Sequence, residues 1–259
     1  MQLTPAEAWS FGAIAASAIA FVLLERRLPY RPGQGVFRPG FVTDLVWYAA
    51  IQSWALGVLI GRLIAALDGA TELSRLALVS GWPVGVQVLF FVVTHDLYIY
   101  GMHRLQHAVP FLWRFHEAHH SVPEVDWLSG VRSHPLEILV NQTVEFAPIV
   151  LLGAAPAVAP VKAAISAIWG MYIHANLDVR MGALQRVLNG PEMHRWHHAT
   201  DAESQGKNFA TKLAVWDWLF GTAWLPDTQR RKPMRYGLSE PGFPDGYVAQ
   251  VAWAFRRRR

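Results

Sequence analysis

The stretch VLFFVVTHDLYIYGMHRLQH, residues 88–107, begins as membrane and ends as metal chemistry. Its first half is an apolar run that stays uncharged until Asp96, as expected of a helix crossing a bilayer. Its second half closes on His103-x3-His107, two imidazoles one helical turn apart and so on one face. Two further boxes, His116-x2-His119-His120 and His194-x2-His197-His198, obey the same geometry. Imidazole is the neutral side chain that binds transition metals strongly, and one ion rarely takes more than about four or five of them. Three boxes therefore imply two metals or one very crowded site. All 11 histidines fall between His95 and His198.

Around this region the composition is that of an integral membrane protein. The 259 residues are 53% hydrophobic and 16% charged, against about 25% charged in ordinary soluble domains, and the mean hydropathy is +0.19. The net charge of +4 and the terminal Arg256-Arg257-Arg258-Arg259 sit beside apolar runs. That arrangement fits anionic lipid headgroups better than a nucleic-acid partner. Absence of cysteine excludes disulfides, zinc ribbons and cysteine-held iron–sulfur clusters on this sequence, and leaves nitrogen and oxygen ligands.

Apolar runs predict spans over about 9–24, 45–60 (extending towards 67) and 78–100, and a closely spaced pair over 138–155 and 158–172. Pro156 and Pro160 break that pair, so it reads as two spans or one re-entrant hairpin. The first run lacks a basic leader and an obvious cleavage site, the pattern of a retained anchor. Arg26, Arg27, Arg31 and Arg38 follow it, which places that loop in the cytosol. Counting onward, every histidine box then falls on the cytosolic side. The expected fold is all-α: a membrane bundle of four to five spans, or three and a hairpin, under a cytosolic histidine-rich helical cap. The expected division is an anchor over 1–90, a histidine-box catalytic domain over 91–222 and a peripheral basic tail over 223–259.

The longer motifs make the pattern specific. They are Asp96-x6-His103-x3-His107, Trp113-Arg-Phe-His116-Glu-Ala-His119-His120, Arg132-Ser-His134-Pro-Leu-Glu137, His174-Ala-Asn176, Asn189-Gly-Pro-Glu192-Met-His194-Arg-Trp-His197-His198, Lys207-Asn208-Phe209 and Trp216-Asp217. In order and spacing these resemble the fatty acid hydroxylase/sterol desaturase superfamily over about residues 90–222. The resemblance implies a membrane di-iron oxygenase that uses O2 to hydroxylate or desaturate a C–H bond of a lipid, fatty acyl, sterol or related. It implies two iron ions, exchangeable for zinc during purification, held by His103, His107, His116, His119, His120, His194, His197 and His198. His174 is the expected ninth ligand and His134 a further candidate; His95 precedes the boxes. Asp96, seven residues before His103, is read as the carboxylate that orients a ligand imidazole. Glu137, Glu192, Asn176, Asn208 and Asp217 are candidates for similar roles, and Glu117 is expected to be solvated.

Each turnover needs two external electrons. No dinucleotide fingerprint or fused cytochrome b5-like segment is evident, which implies a separate cytochrome b5-like or ferredoxin-like donor. Two other readings compete: a membrane metal transporter or metal-binding protein, and a zinc-dependent lipid hydrolase. Transport favours ionisable groups near the midplane of several spans, whereas the boxes sit at span ends. Zinc hydrolysis typically uses three protein ligands, fewer than are present.

Overall fold

In the computed structural model, residues 3–226, 231–233 and 235–256 are described; Arg257, Arg258 and Arg259 of the basic terminus lie outside them. The first helix is started by a capping box. The Thr4 hydroxyl accepts from the Glu7 N–H (3.3 Å), and the Glu7 carboxylate accepts from the Thr4 N–H (2.8 Å), satisfying two donors that a helix start leaves open. Helix α1 (Pro5–Arg27) runs to Arg26 and Arg27 in its last turn. A π-wound segment, Thr43–Gln52, leads without a break into α2 (Ser53–Thr71). Helix α3 spans Val84–Ala108. Pro5–Arg27, Thr43–Thr71 and Val84–Ala108 are long and apolar enough to cross a membrane.

A sharp corner follows α3. Val109 is extended, as a residue before proline prefers, and Pro110 opens α4 (Pro110–His120) at its first turn. The chain doubles back there, and α4 packs on α3. The first two boxes are thereby brought face to face. Helices α5 (Pro135–Leu151) and α6 (Val158–His174) have 17 residues each, about 25 Å long and short of a hydrocarbon layer of about 30 Å. The two helices, expected as two spans or one re-entrant hairpin, follow each other across a short turn. The turn bends at Gly153 (φ +69°), where a Cβ would lie 2.7 Å from the Ser74 carbonyl oxygen, so only glycine fits. The Gln87 side chain pins the same turn to the start of α3, accepting from the Ala155 N–H at 2.9 Å.

In the bundle α1 packs on α6, α2 on α5, and α3 on both α5 and α6. One core patch joins Val79, Phe91, Ile149 and Val158; another joins Ile60, Ile64 and Ala147. The outer faces leave Trp9, Phe11, Ile19, Leu23, Trp54 and Leu89 exposed, as lipid-facing surface requires. The cap comprises α4, α7 (Pro191–His197), α8 (Val215–Leu219), α9 (Tyr247–Trp253) and their loops. No strand occurs among the described residues, only isolated bridges such as Pro29 with Leu177. The fold is the expected all-α membrane bundle.

Two polar seams hold cap to bundle. Asp44, Tyr48 and Gln52 form a buried polar face on the π segment. Asp44 takes paired hydrogen bonds from Arg132 (2.7 and 3.1 Å) and lies 2.8 Å from Arg38, which also reaches Asp126 at 2.8 Å. Tyr48 donates to Gln250 (2.9 Å) and Tyr247 donates to Gln52 (2.8 Å), docking α9 on the π segment. Arg256 then donates to Glu117 (3.1 Å). Glu117 is buried, which corrects the solvated role expected of it: the returning C-terminal segment covers that face of α4.

Candidate metal centre

Helix α3 supplies His103 and His107; α4 supplies His116, His119 and His120; the last residue of α6 is His174; α7 and the residue after it supply His194, His197 and His198. These nine side chains converge as two groups that could each hold a metal ion. His103, His107, His116, His120 and His197 form the first; His119, His174, His194 and His198 form the second, with candidate ligand atoms in each group within 4.8 Å of one another. The boxes are divided between the groups. On α4, His116 and His120 turn to the first and His119 to the second, while at α7 His197 joins the first and His194 and His198 the second. The groups adjoin: the His120 and His198 rings stack with centroids 4.5 Å apart.

The outward nitrogens fix which atom faces inward. Nδ1 of His103 lies 2.7 Å from the Phe209 carbonyl oxygen, and Nδ1 of His197 lies 2.9 Å from that of Lys207. Nδ1 of His119 reaches the Arg132 carbonyl at 3.2 Å, and Nδ1 of His174 reaches that of Gly170 at 2.8 Å. Nδ1 of His116 meets the Glu137 carboxylate at 2.9 Å. A carbonyl only accepts, so Nδ1 of His103, His197, His119 and His174 carries the proton and their Nε2 atoms present a lone pair; an ionised Glu137 holds His116 the same way. This is the usual outer support of metal-bound histidine.

The same tautomers test whether a metal fits. Nε2 of His119 and Nε2 of His174 face each other at 3.3 Å, and neither has a proton to share. Nε2 atoms also meet at 2.9 Å between His174 and His194, and at 3.1 Å between His120 and His197 and between His194 and His198. Nε2 of His103, His107 and His116 is buried with no hydrogen-bond partner. Opposed lone pairs and orphaned ring nitrogens are costly without a cation and well used with one. Burial, reinforced by neighbouring imidazoles, pushes His116, His119, His120, His194, His197 and His198 well below the usual histidine range. All six are therefore neutral at pH 7, the ligand form. The residues fit two metal ions.

The other expected site residues are placed elsewhere. His134 belongs to neither group. Its Nδ1 caps α5 by accepting from the Leu136 N–H (3.1 Å), and its Nε2 lies 3.2 Å from the Val251 carbonyl; both nitrogens are used, which corrects its candidacy as a ligand. His95 also lies outside. The Asp96 carboxylate is taken up by the 211–216 loop: it accepts from the Thr211 hydroxyl (2.7 Å), the backbone N–H of Lys212 and Leu213 (2.9 and 2.8 Å) and the Trp216 indole (3.1 Å). The loop after Phe209 comes between it and His103, so the orienting carboxylate is Glu137 instead. Asp217 accepts from the N–H of Phe209 and Ala210 (2.8 and 2.9 Å), steadying the peptide whose carbonyl orients His103. Asn208 ties Met193 to Trp224, and Asn176 pairs with the backbone of Arg31. Glu192 receives Arg180 (2.7 Å) and Gln185 (3.0 Å).

Between the histidines and the bundle lies a cavity of about 220 Å³, bordered by members of both groups and by side chains of α3, α5 and α6. Gly130 lines it where a Cβ would come 2.6 Å from Nδ1 of His174. A separate crevice of about 60 Å³ is bordered by His107, His120, His197 and Thr200.

The sequence profile of the fatty acid hydroxylase family matches residues 88–222, the segment that carries all nine convergent histidines. An ornithine lipid hydroxylase of Rhizobium tropici is 33% identical over 178 residues, covering 68% of this chain and 53% of that protein. Alkylglycerol monooxygenase of Homo sapiens is 30% identical over 146 residues, covering 56% of this chain and 32% of that protein. The enzyme of that name from Danio rerio is likewise 30% identical over 146 residues. The chain thus spans about half of the first relative and about a third of the human one. No solved structure matches it.

Proposed function

The chain belongs to the fatty acid hydroxylase family, and from that premise we propose that it is a membrane-bound di-iron oxygenase acting on a C–H bond of a lipid. The observation that carries the reading is the pair of imidazole groups, five and four residues strong, with Nε2 of His103, His116, His119, His174 and His197 turned inward. Relatives named as an ornithine lipid hydroxylase and an alkylglycerol monooxygenase support hydroxylation over desaturation. Bound there, two iron ions would supply reductive activation of O2 for attack on an unactivated carbon.

What the chain itself contributes can be read residue by residue. His103, His107, His116, His120 and His197 would hold one ion, and His119, His174, His194 and His198 the other. The carbonyls of Phe209, Lys207, Arg132 and Gly170 and the carboxylate of Glu137 lock the ring orientations. The cavity of about 220 Å³ admits part of a lipid and keeps bulk water from the reacting carbon. Electrons come from a separate donor protein. The basic residues after α1 support a cytoplasmic cap, where such a donor operates. Nine ligands exceed the three that a catalytic zinc site uses, and nothing in the site favours a hydrolase.

The test is oxygen-dependent turnover. Protein purified anaerobically and loaded with iron is given reductant, O2 and a mixed lipid extract, and products are read by mass spectrometry. A gain of one oxygen in one lipid class, absent from a His197→Ala/His198→Ala variant, is the expected result. A lipid product that forms equally without O2 contradicts the reading.

A further inference from the structure

The cap leaves one apolar face bare close to the bundle. Val215, Trp218, Leu219 and Phe220 are exposed, Leu219 at 67%. The first three stand at i, i+3 and i+4 and share one face of α8, while Ala214 and Asp217 are buried beneath. Leu184 and Val187 are exposed beside them: the Trp218 indole donates to the Gln185 carbonyl at 2.9 Å, which fastens the 182–188 turn to α8. A contiguous apolar patch of this kind marks contact with another protein or with lipid.

Depth along α3 decides between them. About 20 residues cross the hydrocarbon layer, so α3, which starts at Val84, leaves it near His103. Asp96 and Tyr100 lie about 10 Å and about 5 Å short of that boundary. The α8 segment is fastened at their level. The Trp216 indole donates to Asp96 (3.1 Å), the Phe220 ring stacks on Tyr100 with centroids 5.3 Å apart, and the Tyr100 and Thr222 hydroxyls meet at 2.9 Å. On α3 itself Leu97 and Leu105 are exposed over the same stretch. Cations frame the patch. Exposed Arg104 and half-buried Lys207 border, with Phe220, a hollow of about 350 Å³, and the Arg186 guanidinium lies 6.0 Å from the Trp218 ring. An apolar face edged by tryptophan and arginine is the pattern of a segment seated where hydrocarbon meets headgroups.

We propose that residues 215–220 insert into the bilayer leaflet on the cap side, with Val215, Trp218, Leu219 and Phe220 among the acyl chains and Arg104, Arg186 and Lys207 against lipid phosphates. A water-soluble partner could not reach below the level at which α3 leaves the hydrocarbon. A second copy of this chain, meeting the patch through two-fold symmetry, would bring the same cations against one another. The inference goes beyond the oxygenase reading and needs no bound metal. It also bears on where the centre sits. Asp217, on the same turn as the inserted face, accepts from the Phe209 N–H, and the Phe209 carbonyl meets Nδ1 of His103, so one short segment joins the membrane seat to the first histidine group.

The test is the depth of a spin label. The sequence has no cysteine, so a single introduced thiol is labelled without ambiguity. Leu219→Cys, and Ala202→Cys on an exposed turn of the cap as the water-facing reference, each carry a nitroxide in full-length, zinc-loaded protein. The protein is held in nanodiscs of phosphatidylcholine and phosphatidylglycerol. Power saturation compares collisions with O2, which concentrates in hydrocarbon, and with a nickel chelate, which stays in water. The Leu219 label is expected to show an oxygen-to-nickel ratio several-fold above that of the Ala202 label. Equal ratios would place the patch in water, and a Leu219 label shielded from both reagents would place it under protein, a second copy included; either overturns the proposal. Should Leu219→Cys fail to fold, Val187→Cys carries the same comparison. Adding Arg104→Glu and Arg186→Glu should lower the Leu219 ratio by setting carboxylates against the phosphates, and an unchanged ratio overturns the role given to those cations.

Discussion

Glu137 and Gly130 show how single residues hold the centre. Glu137 is the one carboxylate that orients a convergent histidine among the described residues, at 2.9 Å from Nδ1 of His116. Glu137→Ala is expected to lower metal affinity or activity by about 10–100-fold with the helices intact, as read by metal titration and circular dichroism. Gly130→Ala would drive a methyl group to 2.6 Å from the His174 ring; the ring must move, and metal analysis should show the second group emptied first. Acid has a defined sign here. Burial lowers the six imidazoles of the α4 and α7 boxes, so below about pH 6.5 the unfolded chain binds protons that the folded chain does not. Metal-free protein should therefore lose stability progressively as pH falls below that value, as followed by thermal unfolding between pH 8 and pH 5. A flat profile would mean the rings are not buried as neutral groups. The histidines were legible in the sequence because ligand spacing is a side-chain pattern. The carbonyls of Phe209, Lys207, Arg132 and Gly170 were not, because any residue supplies one.

At the scale of elements, the sequence foretold the apolar helices but not the seams that fix cap to bundle. The apolar runs mark α1, α2, α3, α5 and α6 through composition alone. Asp96 misled through periodicity: seven residues from His103 puts it on the right face of α3, yet the 211–216 loop occupies that space and takes all its acceptor positions. The Asp44–Arg132–Arg38–Asp126 seam pairs Asp44 with Arg132 and Arg38 with Asp126, each 88 positions apart and beyond any local pattern; only packing brings them together. Because Arg132 both pairs with buried Asp44 and lends its carbonyl to His119, the seam couples the membrane edge to the metal centre. Arg132→Met leaves a buried carboxylate with one partner fewer and is expected to cost about 3 kcal/mol or more, measured as a lowered unfolding midpoint. An unchanged midpoint would mean that Arg38 alone satisfies Asp44.

For the whole molecule, the convergent histidines form a joint between bundle and cap as well as the candidate metal centre. They come from α3, α4, α6 and the α7 box, so metal binding closes contacts between segments nearly a hundred residues apart in sequence. A ligand present at about a thousand times its dissociation constant stabilises the folded state by about 4 kcal/mol per site. Chelation should accordingly lower the unfolding temperature, and iron or zinc should restore it. The family match and the two imidazole groups support one central proposal: that this chain would hold two metal ions on nitrogen ligands alone. Metal analysis of anaerobically reconstituted protein, with X-ray absorption at the iron edge, tests it most directly. Two ions per chain, each in a shell of histidine nitrogens with no protein carboxylate, is the predicted result. A single ion per chain, or a shell containing protein carboxylate oxygen, would contradict it.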